Sequence, residues 1–282
     1  MNTLPSNQLD AFTAVAKTGS FSLAARALNI TQSALSQRVI KLEEELETAL
    51  FLRDPSGIRV TAVGEKLLQY CHARTQMENE FLFEIGDLQS KALSGLIKIA
   101  SFSTYVRSRL MPALGKFGRK HRNVRFDVST REIRDLPKML KSGESDYVVN
   151  IFEINKKEVS NINIGIERNV LVHSTHKDSP KNVFIDHDET DTTTYDFWKI
   201  QKKGPKTYQR LFFGEVYTII KAVEEGFGSA VVPLHIVKGN KNLVIAKGYN
   251  PLDVPIFLSF YQQSYYTKLQ QEFTAYMEPQ KH

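Results

Sequence analysis

The sequence predicts two architectures in one chain, a helical amino-terminal unit and a carboxyl-terminal α/β unit. Three observations support this. Residues up to about 46 carry apolar side chains at helical spacing, broken by turn residues. A hairpin signature then leads into one long helical pattern. From Gly95 onward, short β-branched runs alternate with helical ones, the pattern of an α/β fold.

Asn7 to Lys17 reads as the first helix, with Leu9, Phe12, Val15 and Ala16 on one face. Ser6 or Asn7 starts it and Gly19 lies just past its end. Ser22 to Leu28 is a second, alanine-rich helix whose small residues admit a close neighbour, and Asn29 suits a left-handed stop. The third begins after Thr31, whose hydroxyl is placed to accept from first-turn N–H groups. Leu35, Val39, Leu42 and Leu46 form its apolar stripe. Ser33, Ser36, Gln37 and Ile40 lie opposite, with Arg38 and Lys41 nearby. Two helices joined by a short turn, then a polar-faced third, make a helix-turn-helix. Glutamine can pair with adenine edges, serine with either base type, and lysine or arginine with guanine or phosphate.

Leu50-Phe51-Leu52-Arg53 and Ile58-Arg59-Val60 read as strands around Asp54-Pro55-Ser56-Gly57, which matches a type I turn. This hairpin, or wing, carries Arg53 and Arg59, placed either to grip phosphates or only to solubilise an exposed edge. Thr61 opens a helix reaching about Lys91. Val63, Leu67, Tyr70, Cys71, Met77, Phe81, Ile85 and Leu88 mark its apolar seam at near-heptad spacing. A helix about 45 Å long needs that seam covered to be stable, by a second copy or by its own carboxyl-terminal domain.

The net charge of +6 and pI of about 9.2 invite a nucleic-acid partner. Yet residues 1–61 hold six cations and six acids, so local placement rather than bulk charge must do the work. The lone Cys71 can form no internal disulfide, which fits a reducing cytoplasm. No secretory leader pattern and no membrane-length apolar run is visible.

Thr18-Gly19-Ser20-Phe21-Ser22-Leu23-Ala24-Ala25, then Leu28-Asn29-Ile30-Thr31-Gln32-Ser33-Ala34-Leu35-Ser36 and Leu42-Glu43, resemble the DNA-binding domain of LysR-type transcriptional regulators. Leu50 to Arg53, Arg59-Val60-Thr61 and Gly64 continue the match. Ser36-Gln37-Arg38-Val39 resembles the branch responding to basic amino acids. The resemblance implies base contacts at Gln32, Ser33, Ser36 and Gln37. It implies backbone contacts at Arg38, Lys41, Arg53 and Arg59, with Thr31 capping the same helix.

In the second unit, strands are expected at Gly95–Ala100, Val124–Ser129, Tyr147–Ile151, Ile162–Ile166, Val170–Val172, Val183–Ile185, Ala230–Val232 and Phe257–Tyr261. Helices are expected from Thr104 to about His121, interrupted early by Pro112, and at Ile133–Lys141, Glu215–Glu224 and Tyr266–Tyr276. Ser101, Ser103 and Thr104 sit at a strand-to-helix turn, where hydroxyls either cap or help bind a carboxylate. Leu110 to Leu114, Ser142 to Asp146 and Gly226 to Pro233 resemble landmarks of the family's effector domain, two subdomains like those of periplasmic binding proteins.

The resemblance then implies a winged helix-turn-helix over 1–61, a linker and dimerisation helix over 62–91, effector subdomain I over 92–161 and 259–282, and subdomain II over 162–258. A small effector would lie between the subdomains, near Ser101, Ser103, Thr104, Asn150, Glu215 and Val216. Glu215 stands where the family more often has a small hydroxyl or amide. It either favours an effector with a cationic end or simply complements its helix dipole. A homodimer, and by family habit a homotetramer, would hold double-stranded DNA.

Enzyme chemistry finds little support. Cys71 reads as a buried small hydrophobe. His173 and His176 follow a strand, where their spacing divides the rings between faces, and with Asp186-His187-Asp188 they make a poor metal set. There is no phosphate-loop or dinucleotide signature, no cofactor is expected, and Phe197-Trp198 reads as an apolar anchor. The chain is therefore expected to be a DNA-binding regulator gated by a small molecule. The alternative is a ligand-binding or oligomerising protein using the helix-turn-helix only as a scaffold.

Overall fold

The computed structural model describes residues 3–54, 57–86 and 92–279. The chain divides into two compact units. Unit 1 holds the residues up to Phe102, Ala113–Ile162 and those from Leu258. Unit 2 holds Ser103–Pro112 and Asn163–Phe257.

Unit 1 begins with α1 (Ser6–Thr18), α2 (Phe21–Ala27) and α3 (Gln32–Glu45). Gly19 ends α1 at φ 64°, and Asn29 follows α2 at φ 52°, the left-handed stops their residue types favour. Ala11, Val15, Ala24, Ala25, Leu35 and Val39 form one small core, where the alanines let the helices close up. The wing is β1 (Phe51–Asp54) paired antiparallel with β2 (Gly57–Val60). Pro55 and Ser56, and with them the expected turn type, lie outside the described residues.

Helix α4 (Ala62–Gly86) follows, capped by Thr61, whose hydroxyl accepts from the Gly64 N–H at 3.0 Å. A Cβ on Gly64 would come within 2.5 Å of the Leu50 carbonyl oxygen and 2.6 Å of Val60 Cγ1, so only glycine fits where α4 leaves the wing. The residues from 87 to 91 lie outside the described chain, and with them Leu88 and the expected helix end.

The rest of unit 1 is built on β3 (Ser94–Ser101), which pairs in parallel with β4 (Asn123–Thr130) on one side and β5 (Tyr147–Asn150) on the other. Helix α7 (Leu136–Lys141) links β4 to β5, as parallel pairing requires. Phe117, Tyr147, Phe260 and Phe273 stack in its core at centroid distances of 5.1–5.4 Å. Helix α11 (Lys268–Met277) closes it with a capping box of Thr267 and Gln270.

Unit 2 contains α5 (Ser103–Tyr105) and a π turn at Val106–Leu110 that leads into α6 (Met111–Lys120). The wide turn lets the Met111 N–H reach the Val106 carbonyl just before Pro112, whose ring would crowd a regular helix. Strand β6 (Val159–Ser174) carries antiparallel partners β9 (Ala230–Pro233) and β10 (Leu243–Ile245). The short pair β7 (Val183–Asp186) and β8 (Gln209–Phe212) is parallel. Helices α8 (Thr193–Lys199), α9 (Val216–Glu224) and α10 (Leu234–Val237) pack around them. The chain passes between units after Phe102, after Pro112, inside β6 after Ile162, and inside β11 (Leu252–Tyr261) after Phe257.

Three sequence expectations change. Ile162–Ile166 and Val170–Val172 are parts of one strand, because backbone pairing runs on through Glu167 and Asn169 although their side chains interrupt the apolar pattern. Ser103–Pro112 groups with unit 2 rather than with residues 92–161; the Arg107 guanidinium lies 4.5 Å above the Tyr217 ring there. Elements α8, β8, α10 and β10 come in addition to those expected, being too short for their periodicity to register. Among the described residues no helix is long and apolar enough to cross a membrane.

Candidate nucleic-acid interface and effector region

Helix α3 is anchored on one side and wet on the other. Leu35, Val39 and Leu42 are buried, and Leu46 is half-buried. Gln32, Ser33, Gln37, Ile40 and Lys41 are exposed, while Ser36 and Arg38 are half-buried. Thr31 Oγ1 accepts from the Ala34 N–H at 3.1 Å and lies 3.1 Å from Ser33 Oγ. The expected cap is present, and it ties the first-turn hydroxyls together. Ser22 Oγ donates to Gln32 Oε1 at 3.0 Å, orienting that amide from α2. Sequence reasoning missed this positioning role of Ser22; its place ten residues before Gln32 carried no signal without the packing of the two helices.

Glu43 Oε1 accepts from the Leu50 N–H at 2.7 Å and the Phe51 N–H at 3.3 Å, tying the wing to the end of α3. Arg59 is exposed on β2, opposite Leu52. Arg53 lies on β1 opposite Ile58, and its side chain is outside the described residues.

Helix α4 has three faces where the sequence suggested one seam. Leu67, Leu68 and Cys71 pack with Leu9, Phe12, Leu42 and Leu50. Burial also pushes the Cys71 thiol pKa up, as for an inert core cysteine. A second face is polar and fastened within unit 1. Glu65 bridges Lys141 at 2.6 Å and Lys156 at 3.2 Å. His72 Nε2 and Gln76 Nε2 each reach Asp146 at 2.7 Å. Glu80 accepts from the Lys268 N–H at 2.9 Å. The third face leaves Val63, Tyr70, Met77, Phe81 and Ile85 exposed in the single chain. Leu67 and Cys71 thus belong to the chain's own core, and the remaining described seam residues face outward.

The six expected effector-facing residues fall into both units. In unit 1, Ser101 and Asn150 are fully buried at the carboxyl ends of neighbouring parallel strands. Ser101 Oγ donates to the Val149 carbonyl at 2.9 Å. Asn150 Oδ1 accepts from the Phe152 N–H at 2.8 Å, and its Nδ2 is buried with no hydrogen-bond partner. Such an orphaned donor needs an acceptor from outside the described residues. In unit 2, Thr104 is buried, Ser103 is half-buried, and Val216 packs on the Ile219–Val223 core. Glu215 is half-buried, and its Oε2 accepts from the Tyr217 and Thr218 N–H groups at 2.9 and 3.2 Å. Capping of α9 is therefore what this carboxylate does here.

Unit 2 also buries a polar group that sequence reasoning did not single out. Burial pushes the Glu167 carboxyl up to about 7, against the pull of Arg109. Burial and Arg109 together push His235, 3.9 Å away, down. Asp186 is held by Arg210 and by Thr194, so it serves the packing of unit 2. Among the described residues no group of three or more His, Cys, Asp or Glu side chains could hold a metal ion.

Comparison with known proteins agrees with this arrangement. Residues 6–65 match the bacterial regulatory helix-turn-helix protein family of LysR type, and residues 90–280 match the LysR substrate binding domain. The HTH-type transcriptional regulator YofA of Bacillus subtilis is 28% identical over 259 residues, covering 85% of each chain. The transcriptional activator AmpR of Citrobacter freundii is 34% identical over 131 residues, covering 46% of this chain and 44% of its own. Among solved structures, ArgP of Mycobacterium tuberculosis superposes with a TM-score of 0.76 at 20% identity, covering 98% of this chain and 96% of its own. LysG of Corynebacterium glutamicum, solved with bound effector Arg, gives 0.69 at 16% identity, covering 96% and 95%. The chain belongs to the LysR family of DNA-binding transcriptional regulators, which join a helix-turn-helix to an effector-binding domain.

Proposed function

We propose that α3 enters the major groove and reads bases through Gln32, Ser33, Ser36 and Gln37, while Arg38, Lys41, Arg53 and Arg59 hold phosphates. The observation that carries this is the division of α3: three buried apolar anchors on one side, exposed amides and hydroxyls on the other. Its test is the double substitution Gln37→Ala with Ser33→Ala in the full chain. Both side chains are exposed, so fold and oligomeric state should persist. Binding to the protein's own promoter should weaken by ~1–3 kcal/mol for each well-made pairing to a base edge that is removed. Unchanged retardation of that promoter would favour the scaffold alternative.

Two copies pair through the exposed face of α4 and set their recognition helices in successive major grooves. Pairs of such dimers make a tetramer, as the family habit implies. The effector binds the carboxyl-terminal domain and so changes the bend of the DNA. The buried, unpartnered Asn150 amide supports a polar effector at the ends of β3 and β5. The finer assignment, an effector with a cationic end, draws on the negative charge of Glu215 and on the arginine of LysG. Because Glu215 already caps α9, calorimetry decides it. Lysine or arginine should bind more tightly than a plain dicarboxylate, and the reverse order ends the idea. Such a regulator works beside chromosomal DNA, in the cytoplasm.

A further inference from the structure

Unit 1 contains a cavity of about 120 Å³ that brings two lysines together from different parts of the chain. Lys17 comes from the last turn of α1, in the DNA-binding segment. Lys98 comes from the middle of β3, in the effector-binding segment. Among the described residues neither ammonium has a hydrogen-bond or ion-pair partner.

Three acids lie nearby, Glu80 on the cavity wall itself, and each accepts hydrogen bonds from other groups. Asp146 accepts from His72, from Gln76 and from the Lys98 backbone N–H at 2.8 Å. Glu80 accepts from the Tyr265 hydroxyl at 3.1 Å and from the Lys268 N–H. Glu144, the acid that acts on Lys17, accepts from Ser142 Oγ at 2.8 Å. Asn79 and Ser94 add uncommitted polar groups to the wall. Burial, and then the charge of Lys98, push the Lys17 pKa down, against the pull of Glu144.

We propose that this cavity binds a compact dianion, a phosphate-sized oxyanion or a short dicarboxylate, clamped between Lys17 and Lys98. Two ammonium groups lining one cavity favour a doubly charged ligand over a singly charged one, through charge-assisted hydrogen bonds. A water needs ~10–15 Å³ of such space, so the cavity admits a small ion and excludes a nucleotide. Because one lysine rides on the DNA-binding helices and the other on the effector sheet, occupancy ties the two segments together. By linkage, whatever the anion does to DNA affinity, DNA does to anion affinity. This ligand is distinct from the effector, since none of the six effector-facing residues lines the cavity.

The full chain, free of DNA, is titrated calorimetrically with inorganic phosphate and separately with malonate, in chloride buffer of matched ionic strength. Saturable binding of either probe is expected, weakened about tenfold in Lys17→Met and in Lys98→Met, since each removes a charged hydrogen bond. Lys98→Arg should restore it. Preference for phosphate identifies a phosphoryl ligand, and preference for malonate a carboxylate; both support the site. Should Lys98→Met misfold, Lys17→Met carries the test alone. No saturable binding of either probe, or binding unchanged in Lys17→Met, overturns the proposal.

Discussion

Phe81 is 61% exposed in the single chain, on the face of α4 that also shows Tyr70 at 51% and Met77 at 49%. If this face pairs two copies, Phe81→Asp should separate them while sparing the fold of each. An aromatic side chain presents ~200 Å² when free, so ~120 Å² of Phe81 awaits cover. At ~25 cal/mol per Å² that amounts to ~3 kcal/mol per copy. A two-fold interface counts the residue twice. Association never recovers the whole of such a sum, so a loss of ~3–6 kcal/mol is expected, or ~10²–10⁴ in the dimer dissociation constant. Sedimentation velocity over a concentration series reads it directly. Thermal unfolding of the dissociated variant checks that the chain is intact. A dissociation constant within about threefold of the parent, far below the effect expected for so much apolar area, would refute pairing through this face.

Other outcomes follow from single contacts. Thr31→Ala removes the cap of α3 and should lower stability by ~1 kcal/mol, read by urea unfolding; an unchanged midpoint would show the 3.1 Å contact to Ala34 contributes nothing. Gly64→Ala drives a Cβ toward the Leu50 carbonyl, whose residue is held by Glu43, and should cost ~1–3 kcal/mol; parental stability would mean that the wing yields easily. Glu167 has its pKa raised by burial from 4.5 to about 7, so its contribution to stability is fully present below 4.5 and is lost as pH rises through 7. Glu167→Gln should therefore flatten the stability profile between pH 5 and 8 and be the more stable chain at the upper end, by ~3 kcal/mol. Identical profiles for the two chains would exclude Glu167 as the titrating group.

Much of the amino-terminal unit is legible because its signals are local. Gly19, Asn29 and Thr31 act within a few residues of where they stand, and each does in the structure what its residue type favours. The stripe of Leu35, Val39 and Leu42 needs only helical geometry to define which side is buried and which is exposed. The carboxyl-terminal unit is less legible because its short elements carry little periodicity. Strand β6 hides behind Glu167 and Asn169, and α8 behind a run of threonines. Glu215 shows the limit from the other side: its residue type allowed two roles, and only the positions of the Tyr217 and Thr218 N–H groups show it capping the helix.

The order of apolar and polar residues by itself determined that a capped, two-sided helix stands near the amino end, followed by a wing, a long helix and an α/β domain. Those features depend on covalent geometry and on spacing along the chain, which the sequence carries in full. Only the tertiary structure decided how α4 divides its surface among a core, a polar seam and an exposed apolar face. It alone also decided that Lys17 and Lys98 share one cavity. Contacts between residues 81 positions apart arise from packing, where distance along the chain no longer measures distance in space.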